Sequence, residues 1–151
     1  MNKKLKYAYL AGFVDADGSI SIKSQSKKRP YLGYITVYNC NKEVIEMFFE
    51  EFGGGKSRYK KTGKNWNKNW RPCWEWQLTA QKAARAIEKI YPYLVIKKRQ
   101  ATLVLELCKI KSENQGPIAR WQPERWKKVI DQFAELKKEC KQLNLRGVQA
   151  A

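Results

Sequence analysis

Leu10-Ala11-Gly12-Phe13-Val14-Asp15-Ala16-Asp17-Gly18-Ser19-Ile20-Ser21-Ile22 is the stretch on which the reading of this chain turns. An apolar helical segment ends in two carboxylates and a glycine, and an alternating strand follows at once. The chain holds three aspartates in 151 residues, and two of them stand here. Its formal net charge is +17. A carboxylate at an exposed helix end, in so basic a protein, is a place to hold a divalent cation against a polyanion.

Outward from this stretch the pattern extends in both directions. Residues 7–15 read as helix, with a small-residue face at Ala8, Ala11 and Gly12 that Ala16 continues. Residues 19–24 alternate, with Ile20 and Ile22 inward and Ser21 and Lys23 outward. After the basic turn at 27–30, residues 31–38 alternate again, with Ile35 and Val37 inward and Tyr34, Thr36 and Tyr38 outward. Asn41 is placed to cap a helix carrying Ile45, Phe48, Phe49 and Phe52 on one stripe. Gly53-Gly54-Gly55 ends that helix and opens a strand, which favours a turn over a phosphate cradle. Residues 56–60 and 71–78 form a second hairpin with a polar, basic tip. Thr79 is placed to cap a helix reaching about residue 91, with Ala83, Ile87 and Ile90 inward. A long helix at 97–111, a linker at 112–117 and a last helix at 123–143 complete the chain.

The order is αββαββα plus two C-terminal helices, which predicts the α+β class. Four strands of alternating faces imply an antiparallel sheet with helices on its apolar side. The length suits one domain over 1–151, with a core at about 5–112 and a helical extension at about 118–145.

Composition removes whole classes of function. There is no histidine, so Ser-His-Asp and Cys-His catalysis and HEXXH zinc chemistry are excluded; a hydrolase would rely on carboxylate, lysine, metal and water. Cys40, Cys73, Cys108 and Cys140 are scattered without a CxxC pair, which speaks for reduced thiols rather than a disulfide framework or zinc site. No apolar run is long enough to span a membrane, and residues 1–6 lack the apolar core of a signal peptide. The expectation is therefore no membrane partner and an intracellular setting, in a bacterial or archaeal cytoplasm or an organelle. The charge is uneven: residues 18–42 contain five basic and no acidic side chains, and residues 52–74 contain seven and none. Solubility explains the sum, but two acid-free blocks point to nucleic acid.

The nonapeptide Leu10–Gly18 resembles the signature of the LAGLIDADG homing endonucleases, with Phe13 and Val14 as apolar replacements. The order of elements is similar to that family's fold over essentially the whole chain. The resemblance implies a curved antiparallel sheet that binds double-stranded DNA. One copy of the motif implies the homodimeric branch, with the motif helix at the interface through Ala8, Ala11 and Gly12. It implies metal-dependent hydrolysis of both strands of a long pseudo-palindromic site, about 20 base pairs. Magnesium is the implied cofactor, with manganese or calcium as other occupants. An intron maturase that binds RNA, or a non-cleaving DNA-binding regulator of the same fold, is the alternative.

The same resemblance assigns roles. Asp17, the second acidic residue of the motif, is implied as metal ligand, with the Ala16 carbonyl beside it; Asp15 is favoured for a structural role at the helix end. A catalytic lysine at the start of the long helix falls on Lys97, or on Lys98 if the alignment slips by one. An amide near the end of the second strand, Asn39, is implied in the metal-bound water network; a turn asparagine flanking the helix is the other reading. Base contacts are expected from Ser21, Lys23, Gln25, Tyr34, Thr36, Tyr38, Lys56, Arg58, Lys60, Arg71, Glu75 and Gln77. Trp74 and Trp76 have the opposite parity and are expected in the core. Lys109, Lys111, Arg120, Lys127 and Lys128 are expected at phosphates.

Overall fold

The first helix begins earlier than the apolar pattern suggests, because Asn2 caps it: its side-chain oxygen accepts the Lys4 amide at 3.0 Å. In the computed structural model α1 therefore spans Lys3–Asp17. The structure describes residues 1–24, 31–54, 58–59, 71, 73–115 and 118–145. Strands β1 (Gly18–Lys23) and β2 (Leu32–Asn39) follow, then α2 (Lys42–Phe52), β3 (Arg58–Tyr59), β4 (Trp74–Thr79) and α3 (Ala80–Ile90). A 3₁₀ turn at Tyr91–Tyr93 leads to α4 (Lys98–Glu113), the short α5 (Ile118–Trp121) and α6 (Pro123–Leu143). The αββαββα order and the two long C-terminal helices are as expected; α5 falls between the expected linker and the last helix.

The sheet is antiparallel in the order β1-β2-β4-β3. Ile20, Ile22, Ile35, Val37, Trp76 and Leu78 are buried on one face, as their alternation dictates. Helices supply the rest of the core through Leu10, Ala11 and Val14 of α1, Ile45 and Phe48 of α2, Ile87 of α3, and Leu103 and Leu107 of α4. Trp76 sits 4.8 Å from Phe48 and 5.7 Å from Phe52, ring centre to ring centre. Its indole N–H is satisfied by the Gly53 carbonyl at 2.8 Å, so a large polar-tipped ring is buried without an orphan donor. Gly53 ends α2 at φ 66°, a conformation that favours glycine. Thr79 precedes α3 without a cap hydrogen bond, contrary to expectation; Ala80, the first residue of the helix, stands in the left-handed region at φ 53°.

The C-terminal helix protects the sheet. β1 is an edge strand, and the Ile20 carbonyl accepts from Asn144 Nδ2 at 3.1 Å, while the Cys140 thiol lies 3.7 Å away. Val129, Phe133, Leu136 and Cys140 of α6 are buried at helical spacing. Arg99 of α4 pairs with Glu139 at 2.6 Å, which sets α6 against α4. Among the described residues, no helix is long and apolar enough to cross a membrane.

The four thiols are free, in line with the expectation of reduced cysteines, but two of them are not far apart in space. Cys108 and Cys140 are buried and separate, but Cys40 and Cys73, 33 positions apart, meet with their sulfurs at 3.0 Å. The antiparallel pairing of β2 with β4 brings them together, a constraint that spacing along the chain does not reveal.

The joint between α1 and β1 tolerates no side chain. A Cβ on Gly18 would lie 2.7 Å from the Val14 carbonyl oxygen and 2.8 Å from its Cα, both backbone atoms. Gly18→Ala is expected to cost about 1–3 kcal/mol, the range of an overpacked core, as a lowered urea midpoint with unchanged slope.

Candidate active site and nucleic-acid interface

The last turn of α1 carries no basic residue, so the partial negative charge of the helix C-terminus adds to that of Asp15 and Asp17. The two carboxylates are treated very differently. Asp15 Oδ2 accepts the amides of Val95 at 2.8 Å and Ile96 at 3.2 Å, and Oδ1 accepts that of Lys97 at 2.9 Å. Lys97 is the N-cap residue of α4 and offers no side-chain cap, so the entry to α4 is satisfied from α1 instead. Asp15 is thus fully engaged at the positive end of another helix. Asp17 is exposed, and its Oδ2 accepts from Asn39 Nδ2 at 2.9 Å.

Asn39 makes the turn expected of it and also reaches Asp17. Its oxygen accepts the Asn41 amide at 2.7 Å, making the turn that starts α2, and its amide nitrogen faces Asp17 directly. Asn41 caps α2 as expected, accepting the Glu43 amide at 2.9 Å. Lys97 is half-buried, and its ammonium donates to the Asp15 main-chain oxygen. Burial pushes Lys97 below the usual lysine range, against the opposing pull of Asp15 and Asp17. Lys98 is exposed and lies 5.2 Å from the centre of the Tyr91 ring, so Lys97 is the lysine that reaches this site. Ala16 is exposed in the same last turn, where helix carbonyls run out of successor amides; those of Val14 and Asp15 are taken by the Gly18 amide and Lys97. The Asp17 carboxylate, the Asn39 amide and the Lys97 ammonium therefore lie at the same helix end.

The outward face of the sheet follows the expected parity. Register places Ser21 opposite Tyr34, Thr36 opposite Gln77 and Tyr38 opposite Glu75. Lys23 lies 4.7 Å from the centre of the Tyr34 ring, and the Tyr38 hydroxyl donates to Glu75 at 2.8 Å. Burial, then the hydrogen bond to Glu75, pushes the Tyr38 phenol above its usual range, so it remains a neutral donor. Arg71 is exposed. Thr36 is a correction: it is only 4 % exposed, and its hydroxyl donates to the Trp76 carbonyl at 3.0 Å. It stands on an inner strand between two larger side chains, Tyr34 and Tyr38, and is withdrawn from the surface. Trp76 is buried as expected, while Trp74 is half-buried with the Lys42 ammonium 5.3 Å from its ring centre. Lys111 is half-buried and donates to the Tyr31 carbonyl, an internal tie rather than a phosphate contact; Lys109, Lys127 and Lys128 are exposed. Gln25, Lys56, Lys60 and the basic turn and hairpin tip lie outside the described residues, as do the side chains of Arg58 and Arg120.

The exposed side of α1 also differs from expectation. Ala11 is fully buried with Leu10 and Val14, so it packs into its own core instead of facing a partner; Ala8 is half-buried and Gly12 is exposed. The outward stripe is Leu5, Tyr9, Gly12 and Ala16, with Leu5 64 % and Tyr9 45 % exposed. Val95 and Ile96 add exposed apolar surface beside Asp15. Starting the helix at Asn2 would have exposed the Leu5–Tyr9 spacing of four; nothing local in Leu94-Val95-Ile96 tells which of the three is buried.

A protein-family model described as a LAGLIDADG-like domain matches residues 4–107. The chain belongs to this family. It is 30% identical over 122 residues to the DNA endonuclease I-CvuI of Chlorella vulgaris, covering 76% of this chain and 70% of that protein. The crystal structure of I-CvuI with its DNA target and calcium superposes with a TM-score of 0.71 at 25% identity, covering 99% of this chain and 87% of that one. The archaeal intron-encoded homing endonuclease I-Vdi141I, complexed with DNA, has the same fold at a TM-score of 0.72 and 18% identity, over 99% of this chain and 91% of that one. In this LAGLIDADG chain the matched segment contains α1, the whole sheet and most of α4, and so every residue of the site above.

The two motif aspartates are separable by stability. Asp15→Ala, which strips the acceptor from three backbone donors, is expected to cost about 1–3 kcal/mol in denaturant unfolding. Asp17→Ala removes an exposed charge from a negative helix end and is expected to change stability by no more than about 0.5 kcal/mol.

Proposed function

We propose that the chain is a homodimeric, site-specific DNA endonuclease that hydrolyses a phosphodiester bond in each strand of a long pseudo-palindromic site. The observation that carries this reading is the unequal treatment of two neighbouring carboxylates: Asp15 is consumed by the fold, and Asp17 is turned to solvent with Asn39 and Lys97 beside it. A solvated carboxylate at the negative end of a helix has no structural gain to offset its cost, and a cation supplies one.

The donors fit a hard divalent metal. They are oxygens, the Asp17 carboxylate and the Ala16 carbonyl, with no thiolate or imidazole among them. Among the described residues no three His, Cys, Asp or Glu side chains gather as a cage. Magnesium, which keeps several waters and takes one or two carboxylates, suits such a sparse set, and calcium or manganese could take the same oxygens. Bound there, the ion would acidify a water and neutralise charge on the phosphate. Asn39 fixes the Asp17 carboxylate through its hydrogen bond. Lys97 places a positive charge beside the reacting phosphate and is kept partly desolvated, which strengthens its electrostatic effect.

A second copy completes the arrangement. A Cβ on Gly12 would meet nothing within 4 Å in this chain, so its own protomer does not require glycine there. A helix-interior glycine costs about 1 kcal/mol against alanine, and close approach of a partner's α1 explains that cost. Leu5, Tyr9 and the exposed Val95 and Ile96 supply the apolar rim, and two Asp17 side chains come to one axis. The polar outer face of the sheet then reads bases through Ser21, Lys23, Tyr34, Tyr38, Arg71, Glu75 and Gln77, with the undescribed side chains of Gln25, Lys56, Arg58 and Lys60 on the same ribbons.

Incubation with a randomised-duplex library and Mg²⁺, followed by sequencing of cut ends, tests the activity. Cut ends enriched for one long pseudo-palindrome are expected. Asp17→Asn should abolish them while keeping sequence-selective binding, and Lys97→Met should slow cutting by about 10²-fold or more. Selective binding without Asp17-dependent cutting by the native protein would instead identify a maturase or regulator. The dimer is tested by sedimentation: Gly12→Leu should shift the mass from dimer to monomer and leave far-UV circular dichroism unchanged.

A further inference from the structure

We propose that Cys40 and Cys73 form a reversible thiol–disulfide pair that staples the exit of β2 to the entry of β4, oxidised by exchange with a low-molecular-weight disulfide such as glutathione disulfide. The geometry is set by the sheet. β2 and β4 pair in a register that runs Thr36 with Gln77, Tyr38 with Glu75 and Asn39 with Trp74. One step further, the same register sets Cys40 opposite Cys73. Directly opposed residues of an antiparallel pair have Cα atoms about 4.5–5.5 Å apart, inside the range of about 4.4–6.8 Å that a disulfide spans. The two sulfurs face each other at 3.0 Å.

Both residues are held where they are. Cys40 lies between Asn39 and Asn41, whose side chain-to-amide hydrogen bond at 2.7 Å fixes the turn. Cys73 immediately precedes Trp74, which is paired on one side with Asn39 and on the other with Tyr59. Closing the bond therefore calls for little more than side-chain rotation. Cys40 is exposed and Cys73 partly so, whereas Cys108 and Cys140 are buried, and burial raises both of those thiols above their usual range. Cys73 is held high by its hydrogen bond with Cys40 and then by burial, so it enters as the second, resolving thiol. No third metal-ligating side chain joins the pair among the described residues, which favours dithiol chemistry over a zinc site.

The exchange balances. Cys40 loses its proton and its sulfur attacks glutathione disulfide; the S–S bond of that reagent breaks and one glutathione leaves as thiol. Cys73 then loses its proton and attacks the Cys40 sulfur, releasing the second glutathione. The protein gives up two electrons and two protons, all of them carried off by two molecules of reduced glutathione. The bond would sit one residue from Asn39, and so from the side chain that holds Asp17.

The test uses the native chain equilibrated in glutathione redox buffers, quenched by alkylation and mapped by mass spectrometry without reduction. The expected result is a fall from four free thiols to two, a linked Cys40–Cys73 peptide, free Cys108 and Cys140, and full reversal by dithiothreitol. The oxidised form should melt roughly 5–10 °C higher, as a loop of this length implies. In Cys40→Ser no intramolecular link should form and the thermal shift should vanish. Retention of four thiols, a link involving Cys108 or Cys140, a Cys40–Cys40 link between chains, or a melting temperature that does not rise on oxidation would each overturn the proposal. None of these readouts depends on whether the chain cuts DNA.

Discussion

Three main-chain amides, of Val95, Ile96 and Lys97, converge on the carboxylate of Asp15, and the geometry of the site depends on that convergence. It joins residues some 80 positions apart. It joins the C-terminus of α1 to the entry of α4, so the negative end of one helix meets the positive end of another. Each end would otherwise leave polar groups unsatisfied. The Lys97 ammonium closes the same joint from the other side through the Asp15 carbonyl. Once the joint forms, Lys97 has no freedom to swing away, and Asp17, one turn-step along α1, is carried to the surface next to it.

Charge balance explains why two aspartates two residues apart behave so differently. Asp15 has three amides and a helix N-terminus to stabilise it. Asp17 has one neutral amide from Asn39 and a helix C-terminus that repels it. In a chain with formal charge +17, residues 18–42 and 52–74 carry no acidic side chain, and Asp17 stands immediately before the first of these blocks. On the proposed reading the basic face attracts the polyanion, and Asp17 is where a cation would be held against it.

The sheet was readable in the sequence because its rule is local. A period of two assigns Ile20, Ile22, Ile35, Val37 and Trp76 inward and Tyr34, Tyr38, Glu75 and Gln77 outward, and register confirms each assignment. What escaped is long-range. The face of α1 depends on what packs beneath it, so Ala11 faced the core and Leu5 and Tyr9 faced out. Thr36 obeyed the parity yet was covered by larger neighbours and bonded to Trp76. Lys111 was taken up by the Tyr31 carbonyl, and Cys40 met Cys73 only because β2 pairs with β4. Of the candidate site, Asp17, Asn39 and Lys97 came from the motif and its resemblance; the engagement of Asp15 by the 95–97 amides needed three dimensions.

The alternation along β2 also partitions function. Ile35 and Val37 build the core, and Asn39, next in the same series, reaches Asp17. Tyr34, Thr36, Tyr38 and Cys40 form the other series, and their partners on β4 are Thr79, Gln77, Glu75 and, one step beyond, Cys73. Core packing and the contact to Asp17 thus occupy one parity, while the residues proposed to read DNA and the thiol pair occupy the other. Substitutions on the outer series leave undisturbed the carboxylate held from the inner one. The exception is Thr36, whose hydrogen bond to the Trp76 carbonyl ties the two series together at the centre of the sheet. A change of size or polarity at that central position would therefore disturb both series, whereas changes nearer the strand ends leave this tie in place.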